Sequence, residues 1–323
     1  PYSEILHVFV PIFFFISGAL ALHGLSRSGT WDYYKKRFVS LLVPYYLICL
    51  ISLAVYVLVN NHLPDFDIEN IIKWIQIRPS NEIMPFPIGQ VWFLHGLFII
   101  TLASPLYFMA WTKSRRALLA VMIAIVLFSS VQLFTDIDNL FFISHNNLYQ
   151  PLIHSSFFIF GMIYFTQPTM PTVAPAAFFV CLSIALQQWL GLNPDYAFHI
   201  YAPDLYYVAG SASAIFLALF LKKYFLWAVQ SNRVSEVILR FLHKHTFSIF
   251  LLHSFAIYLA DTVLGLVNPQ EKTIAYGIIK LSVVLTITCV MSPFFTIVSR
   301  KITEYLIGKQ KQNYPLIPAH PTT

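Results

Sequence analysis

The chain has 323 residues, 58% of them hydrophobic and only 11% charged, where ordinary soluble domains carry about 25% charged residues. No soluble core needs that much apolar surface, so the composition excludes a plain soluble protein and points to a membrane protein. The formal charge of +6 is better explained by loop charges of a membrane chain than by a nucleic-acid surface, and no nucleic-acid partner is expected.

A bilayer-spanning helix needs about 20 mainly apolar residues. Nine stretches qualify, at 5–25, 38–60, 88–110, 117–134, 150–166, 172–190, 204–221, 246–264 and 273–298. They predict an all-α fold, a polytopic transmembrane helix bundle. The first residue is Pro1, and neither a basic n-region nor a small-residue cleavage site follows. The expectation is a chain that begins inside a longer product or lacks its true start.

The first predicted span holds HVFVPIFFFISG, residues 7–18. Pro11 removes a backbone hydrogen bond and presses on the carbonyl of residue 7, which loosens the helix beside His7. Ser17 and Gly18 allow a close helix contact. Before the second span comes YYKKRFVSLLVPYY, 33–46, where a basic cluster meets the membrane and Pro44 is expected to break the span early. That cluster reads as a cytoplasmic anchor or as a phosphate-binding surface using Lys36 and Arg37. PIGQVWFLHGL, 87–97, places Trp92 in an ordinary interfacial belt position and His95 inside the third span. His154 opens the fifth span. The seventh, rich in Gly, Ser and Ala, suits tight packing. His253 lies deep in the eighth, in SIFLLHSF, and Lys280 in the ninth is expected to snorkel. No charged pair is read inside the spans. Cys49, Cys181 and Cys289 lack metal-ligand spacing and read as buried small hydrophobes.

The loops orient the spans. If the first runs from outside to inside, segments 26–37, 111–116, 167–171, 222–245 and 299–323 are internal and hold sixteen of the twenty Lys and Arg residues. Outer loops carry acids instead, among them Asp65, Asp67, Asp136, Asp195 and Asp204. This positive-inside pattern puts the C-terminus in the cytoplasm and the present N-terminus outside. One more helix upstream would return the true N-terminus inside. Residues 299–323 form a polar, proline-rich cytoplasmic tail expected to be disordered.

An ionisable residue within a span is a functional candidate by default. His7, His95, His154 and His253 all qualify, since histidine can serve as base, acid or ligand. The plain alternative for each is a neutral side chain bonded to a neighbouring helix. No HxxxH or HExxH pair occurs, and HKH at 243–245 is expected at a loop or helix start, so no metal site is expected.

Four motifs in order carry a family resemblance. H-x-x-x-P-I-F-F-F-I-S-G at 7–18, K-K-R-F-x-x-L-L-x-P-Y-Y at 35–46, G-Q-V-W-F-L at 89–94 and S-I-F-L-L-H at 248–253 resemble the membrane acyltransferase 3 family, especially its fucose 4-O-acetylase-like branch. The resemblance covers about residues 5–298 and makes residues 1–298 one acyltransferase-3-like transmembrane domain. It implies about ten spans, of which the first, bearing an arginine and a principal catalytic histidine, has no counterpart here. It also implies an enzyme of the cell inner membrane. Such an enzyme moves an acyl group from acyl-CoA, above all acetyl-CoA, to a sugar hydroxyl of an envelope or exported glycan. The donor is a substrate and no metal is required. The expected partners are acyl-CoA, a carbohydrate or lipid-linked sugar acceptor, and membrane lipids. By that resemblance His7 and His253 are the catalytic candidates, His7 toward the acceptor and His253 toward the donor. Lys36, Arg37, Trp92 and His95 are the substrate-binding candidates, with Arg37 matched to the phosphates of the donor.

Two rival readings stand beside it. A transporter of a glycan or small metabolite would show inverted repeats or charged pairs at midplane, and neither is read here. An inactive fragment follows if the upstream helix is truly absent.

Overall fold

The computed structural model describes residues 10–63, 68–75, 77, 92–143, 146–167, 170–200, 202–230, 232–267 and 274–308. Among them are nine long helices and one short one. These are α1 (Val10–Arg27), α2 (Thr30–Asn60), α3 (Ile68–Ile75), α4 (Trp92–Lys113) and α5 (Arg115–Ser129). There follow α6 (Tyr149–Thr166), α7 (Val173–Leu190), α8 (Leu205–Gln230), α9 (Arg233–Val267) and α10 (Ile274–Ile307). The described β-structure is a two-residue antiparallel pairing of Phe142–Ile143 with Asn146–Asn147. All the long helices except α6 are long and apolar enough to cross a membrane, α5 together with the turn that extends it to Leu133.

Two compact units emerge. The first takes the described residues up to Tyr34, within Asp67–Ser80 and within Gly89–Lys244. The second takes those within Lys35–Phe66 and from His245 onward.

In the first unit α6 is the central helix, packed by α1, α4 and α5, while α7 pairs with α8. The helix directions follow from ring contacts. Phe14 meets His154 and His23 meets Phe165, so α1 and α6 run parallel. His154 meets Tyr207 and Phe160 meets Phe216, so α8 runs the same way. Phe128 packs on Tyr149, so α5 runs opposite to α6. From α5 to α6 the chain therefore reverses direction, and α6 runs beside most of the length of α1, a helix long enough to cross a membrane. The lower hydropathy of α6 has a physical reason: Ile153, His154, Ser155, Ser156, Phe158 and Ile159 are buried against protein, not turned to lipid.

Helices α1 and α6 approach each other closely. A Cβ on Gly18 would lie 1.9 Å from the Phe158 carbonyl oxygen, and one on Gly161 would lie 1.9 Å from that of Phe15. The contact expected at Gly18 is present, and Gly161 supplies its other half. Local caps agree with the breaks: Ser114 accepts the Ala117 N–H at the start of α5, and left-handed Gly191 ends α7.

The second unit joins α9 to α10. Thr296 Oγ1 donates to the Ser292 carbonyl, so its lone pairs accept from His245 Nδ1 at 2.8 Å and Ser248 Oγ at 2.6 Å. Its buried side chains include Tyr45, Cys49, Leu251, Leu252, Ala256 and Phe295.

Several expectations change. Pro44 does not break α2, which runs unbroken from Thr30 with the basic cluster inside its first turns. In an apolar setting, ending the helix there would strand more backbone groups than the single bond Pro44 removes. His243–His245 lie within α9, well after its start. Cys49 is buried, but Cys181 and Cys289 are exposed on the faces of α7 and α10. The span expected to end at 298 continues helical to Ile307. Lys280 does not simply snorkel: it pairs with Asp261 at 2.5 Å, a charged pair between candidate spans. The loop expected across 61–87 contains α3, whose Ile68, Ile71, Ile72 and Ile75 form an exposed apolar stripe at helical spacing.

Candidate functional site

Parallel packing gathers the starts of α4, α6 and α8 at one end of the first unit, and there the sequence places Trp92, His154 and Tyr207. His154 is fully buried. Its ring lies 4.7 Å from that of Phe14, 5.8 Å from that of Trp92 and 5.7 Å from that of Tyr207. Its Nδ1 is 2.7 Å from the Gln150 carbonyl. A carbonyl only accepts, so Nδ1 carries the proton and Nε2 carries the lone pair. Tyr207, also fully buried, donates its hydroxyl to that lone pair at 3.3 Å. The pair is thus a neutral imidazole of one tautomer facing a phenol. Chemically it can take a proton at Nε2 if the phenol passes its own along.

A short loop closes this end. Asp204 caps α8, accepting the Tyr207 N–H at 2.9 Å with one carboxylate oxygen. Its other oxygen is 2.7 Å from His199 Nδ1, and His199 Nε2 is 3.0 Å from the Asn193 carbonyl. Both partners are acceptors, an arrangement that the two N–H groups of an imidazolium satisfy and a neutral ring cannot. Burial opposes that charge, but the hydrogen bond and charge of Asp204 outweigh it, helped by the Asn193 carbonyl and Asp195, so the pKa is raised. The loop is also stapled to α6: Tyr149 donates to the Pro203 carbonyl at 3.0 Å, and Gln150 Nε2 to the Ile200 carbonyl at 2.9 Å.

Phe157, which packs against His154, also lines an apolar cavity of about 120 Å³ between α5, α6, α7 and α8. Its walls include Met122, Val126, Phe179 and Phe216.

The structure brings some predicted residues together and leaves others apart. Trp92 meets His154. His95, one turn further along α4, is half-buried. His7 lies outside the described residues, as does the reading of Pro11 against the carbonyl of residue 7. Lys36, Arg37 and His253 belong to the second unit. There Lys36 is exposed and Arg37 half-buried on α2, while His253 Nδ1 donates to the Phe250 carbonyl of its own helix. Sequence reasoning noticed His154 but did not choose it, and it overlooked Tyr207 and His199. The available signal was Gln150 one turn before His154 at a span entrance, together with Asp204 at a helix start.

Residues 2–293 match the family model described as an acyltransferase domain, Acyl_transf_3. Neither the curated proteins nor the solved structures gave a match.

Proposed function

The chain belongs to the acyltransferase 3 family, which its matched length shows, and from that premise we propose that it transfers an acyl group from acyl-CoA to a sugar hydroxyl. Acetyl is the proposed group and an envelope or exported glycan the proposed acceptor, with the chain in the cell inner membrane and its C-terminus cytoplasmic. The observation that supports this reading most is the His154–Tyr207 pair, a histidine held in one tautomer beside Trp92. Acyl transfer to a hydroxyl needs a group that accepts the hydroxyl proton as the ester forms. In the proposal the acceptor proton passes to the phenol oxygen of Tyr207 as that phenol protonates His154 Nε2. The acyl carbon gains the bond to the acceptor oxygen and loses its bond to the coenzyme sulfur, which leaves as thiolate.

The remaining predicted residues keep their proposed roles. Arg37 and Lys36 meet the donor phosphates, because guanidinium and ammonium groups on a helix start suit phosphoryl oxygens. Trp92 and His95 contact substrate, His7 acts on the acceptor side, and His253 assists the donor.

The Asp261–Lys280 pair favours a second reading, a transporter, because charged pairs between spans mark pathways for polar cargo. One experiment separates the two. Membranes carrying the chain are given acetyl-CoA labelled in the acetyl group together with a glycan acceptor. The expected result is label in the saccharide fraction, released by mild base as an ester should be. Movement of unmodified glycan without ester formation supports transport and overturns the transferase reading. Replacing Arg37 with Ala is expected to raise the acyl-CoA requirement.

A further inference from the structure

The hydrogen bonds at the closed end of the first unit form a circuit. From the Asn193 carbonyl they run to His199, to Asp204 and to the backbone of Tyr207. The Tyr207 hydroxyl meets His154, His154 meets the Gln150 carbonyl, and the Gln150 side chain returns to Ile200 in the same loop. Every link within that loop bears on where the phenol of Tyr207 stands. We infer that His199 and Asp204 are positioning residues that hold the His154–Tyr207 pair in register from the loop joining α7 to α8, and that they do so only while His199 is protonated.

The reason is a count of donors. The His199 ring faces two acceptors, the Asp204 carboxylate and the Asn193 carbonyl. An imidazolium has two N–H groups and satisfies both; a neutral imidazole has one and must turn a lone pair on an oxygen. Loss of the proton therefore opens one side of the clasp. The charged groups facing His199 are Asp204 and Asp195, and Tyr206 packs its ring 5.0 Å away. Tyr206 in turn stacks on Tyr196 and donates to the Pro194 carbonyl. Asp138 adds negative charge near Tyr149, on the α6 side of the loop. With the side chains of His199 and Asp204 only 12% and 7% exposed, an opened clasp cannot be replaced by bulk water without moving the loop.

Two substitutions separate the clasp from the cap. Asp204→Ser keeps a good helix cap for Tyr207 but removes the carboxylate that receives His199. His199→Asn leaves a donor at the position of Nδ1 and removes the titration. The test uses the full chain in lipid nanodiscs with ¹⁵N-labelled histidine rings, the His154 signals being identified by their loss in His154→Gln. In the unsubstituted chain the His154 Nε2 signal is expected to change as pH rises above the ordinary histidine value of about 6.5, in step with His199. Asp204→Ser should show the high-pH form throughout, and His199→Asn, which has no titrating group, a form that does not change with pH. A His154 signal that ignores His199, or an Asp204→Ser spectrum identical to the unsubstituted one, overturns the inference. What the clasp means for turnover rests on the proposed acyl transfer, and the two fail separately. Intact spectra with no ester formed remove the transferase reading and leave the clasp. Ester formation with pH-invariant spectra does the reverse.

Discussion

Tyr207 and His154 meet through a 3.3 Å hydrogen bond in which neither side chain touches solvent. The phenol donates because Nδ1 of the imidazole is already committed to the Gln150 carbonyl. His154→Asn keeps a donor for that carbonyl and removes the acceptor nitrogen. It should lower acyl transfer by at least about 100-fold if His154 takes the proton, the usual range for a general base being about 10²–10⁴. Tyr207→Phe should destabilise the fold by about 1–3 kcal/mol, since it strands a buried acceptor. Transfer assays and thermal unfolding in detergent check the two effects. Unchanged transfer in both variants would make the pair a packing device.

Close approach of α1 and α6 gives a second expectation. Gly18→Ala drives a methyl against the Phe158 backbone, which no side-chain rotation can relieve. A loss of about 3 kcal/mol is expected, at the upper end for overpacking. Gly96→Ala is the control: its Cβ would meet only the Phe14 ring at 3.7 Å. It should be neutral, or gain up to about 1 kcal/mol of helix propensity. Thermal midpoints of the two variants decide this.

Stability should depend on pH through His199. Its pKa is raised in the folded chain by the net effect of Asp204 and its neighbours against burial. Such a group contributes stability that is complete below the ordinary histidine value of about 6.5 and is lost as pH rises through the raised value. The thermal midpoint should therefore fall as pH rises above about 6.5. His199→Asn should flatten that part of the profile, and a profile equally steep in the variant refutes the assignment.

The Asp261–Lys280 pair is best examined by a double-mutant cycle with Asp261→Asn and Lys280→Met. A coupling of about 1 kcal/mol or more is expected if the pair lies between lipid-facing helices. A value within about 0.5 kcal/mol of zero would mark it as an ordinary solvated surface pair.

Much of the fold was legible in the residues. Runs of about 20 apolar residues identified the spans because the bilayer makes the same demand on each helix separately. The motifs at 7–18, 35–46, 89–94 and 248–253 pointed to the family that the match over residues 2–293 shows. Element ends were less legible. Pro44 looked like a break and is not one, because neighbouring residues hold the helix together in an apolar setting.

The candidate site was legible only in its ingredients. Four histidines stood in or near spans, and the motifs singled out His7 and His253 among them, not His154. Among the described residues His154 stands out because α1, α4 and α8 pack on α6 and bring Phe14, Trp92 and Tyr207 to one ring. Those partners lie up to 140 positions away along the chain, so their meeting is invisible to any local pattern. Hydropathy acts on one helix at a time and is written in each run of residues. The choice of neighbours, and with it the tautomer of His154 and the charge of His199, is decided only when the helices close on one another.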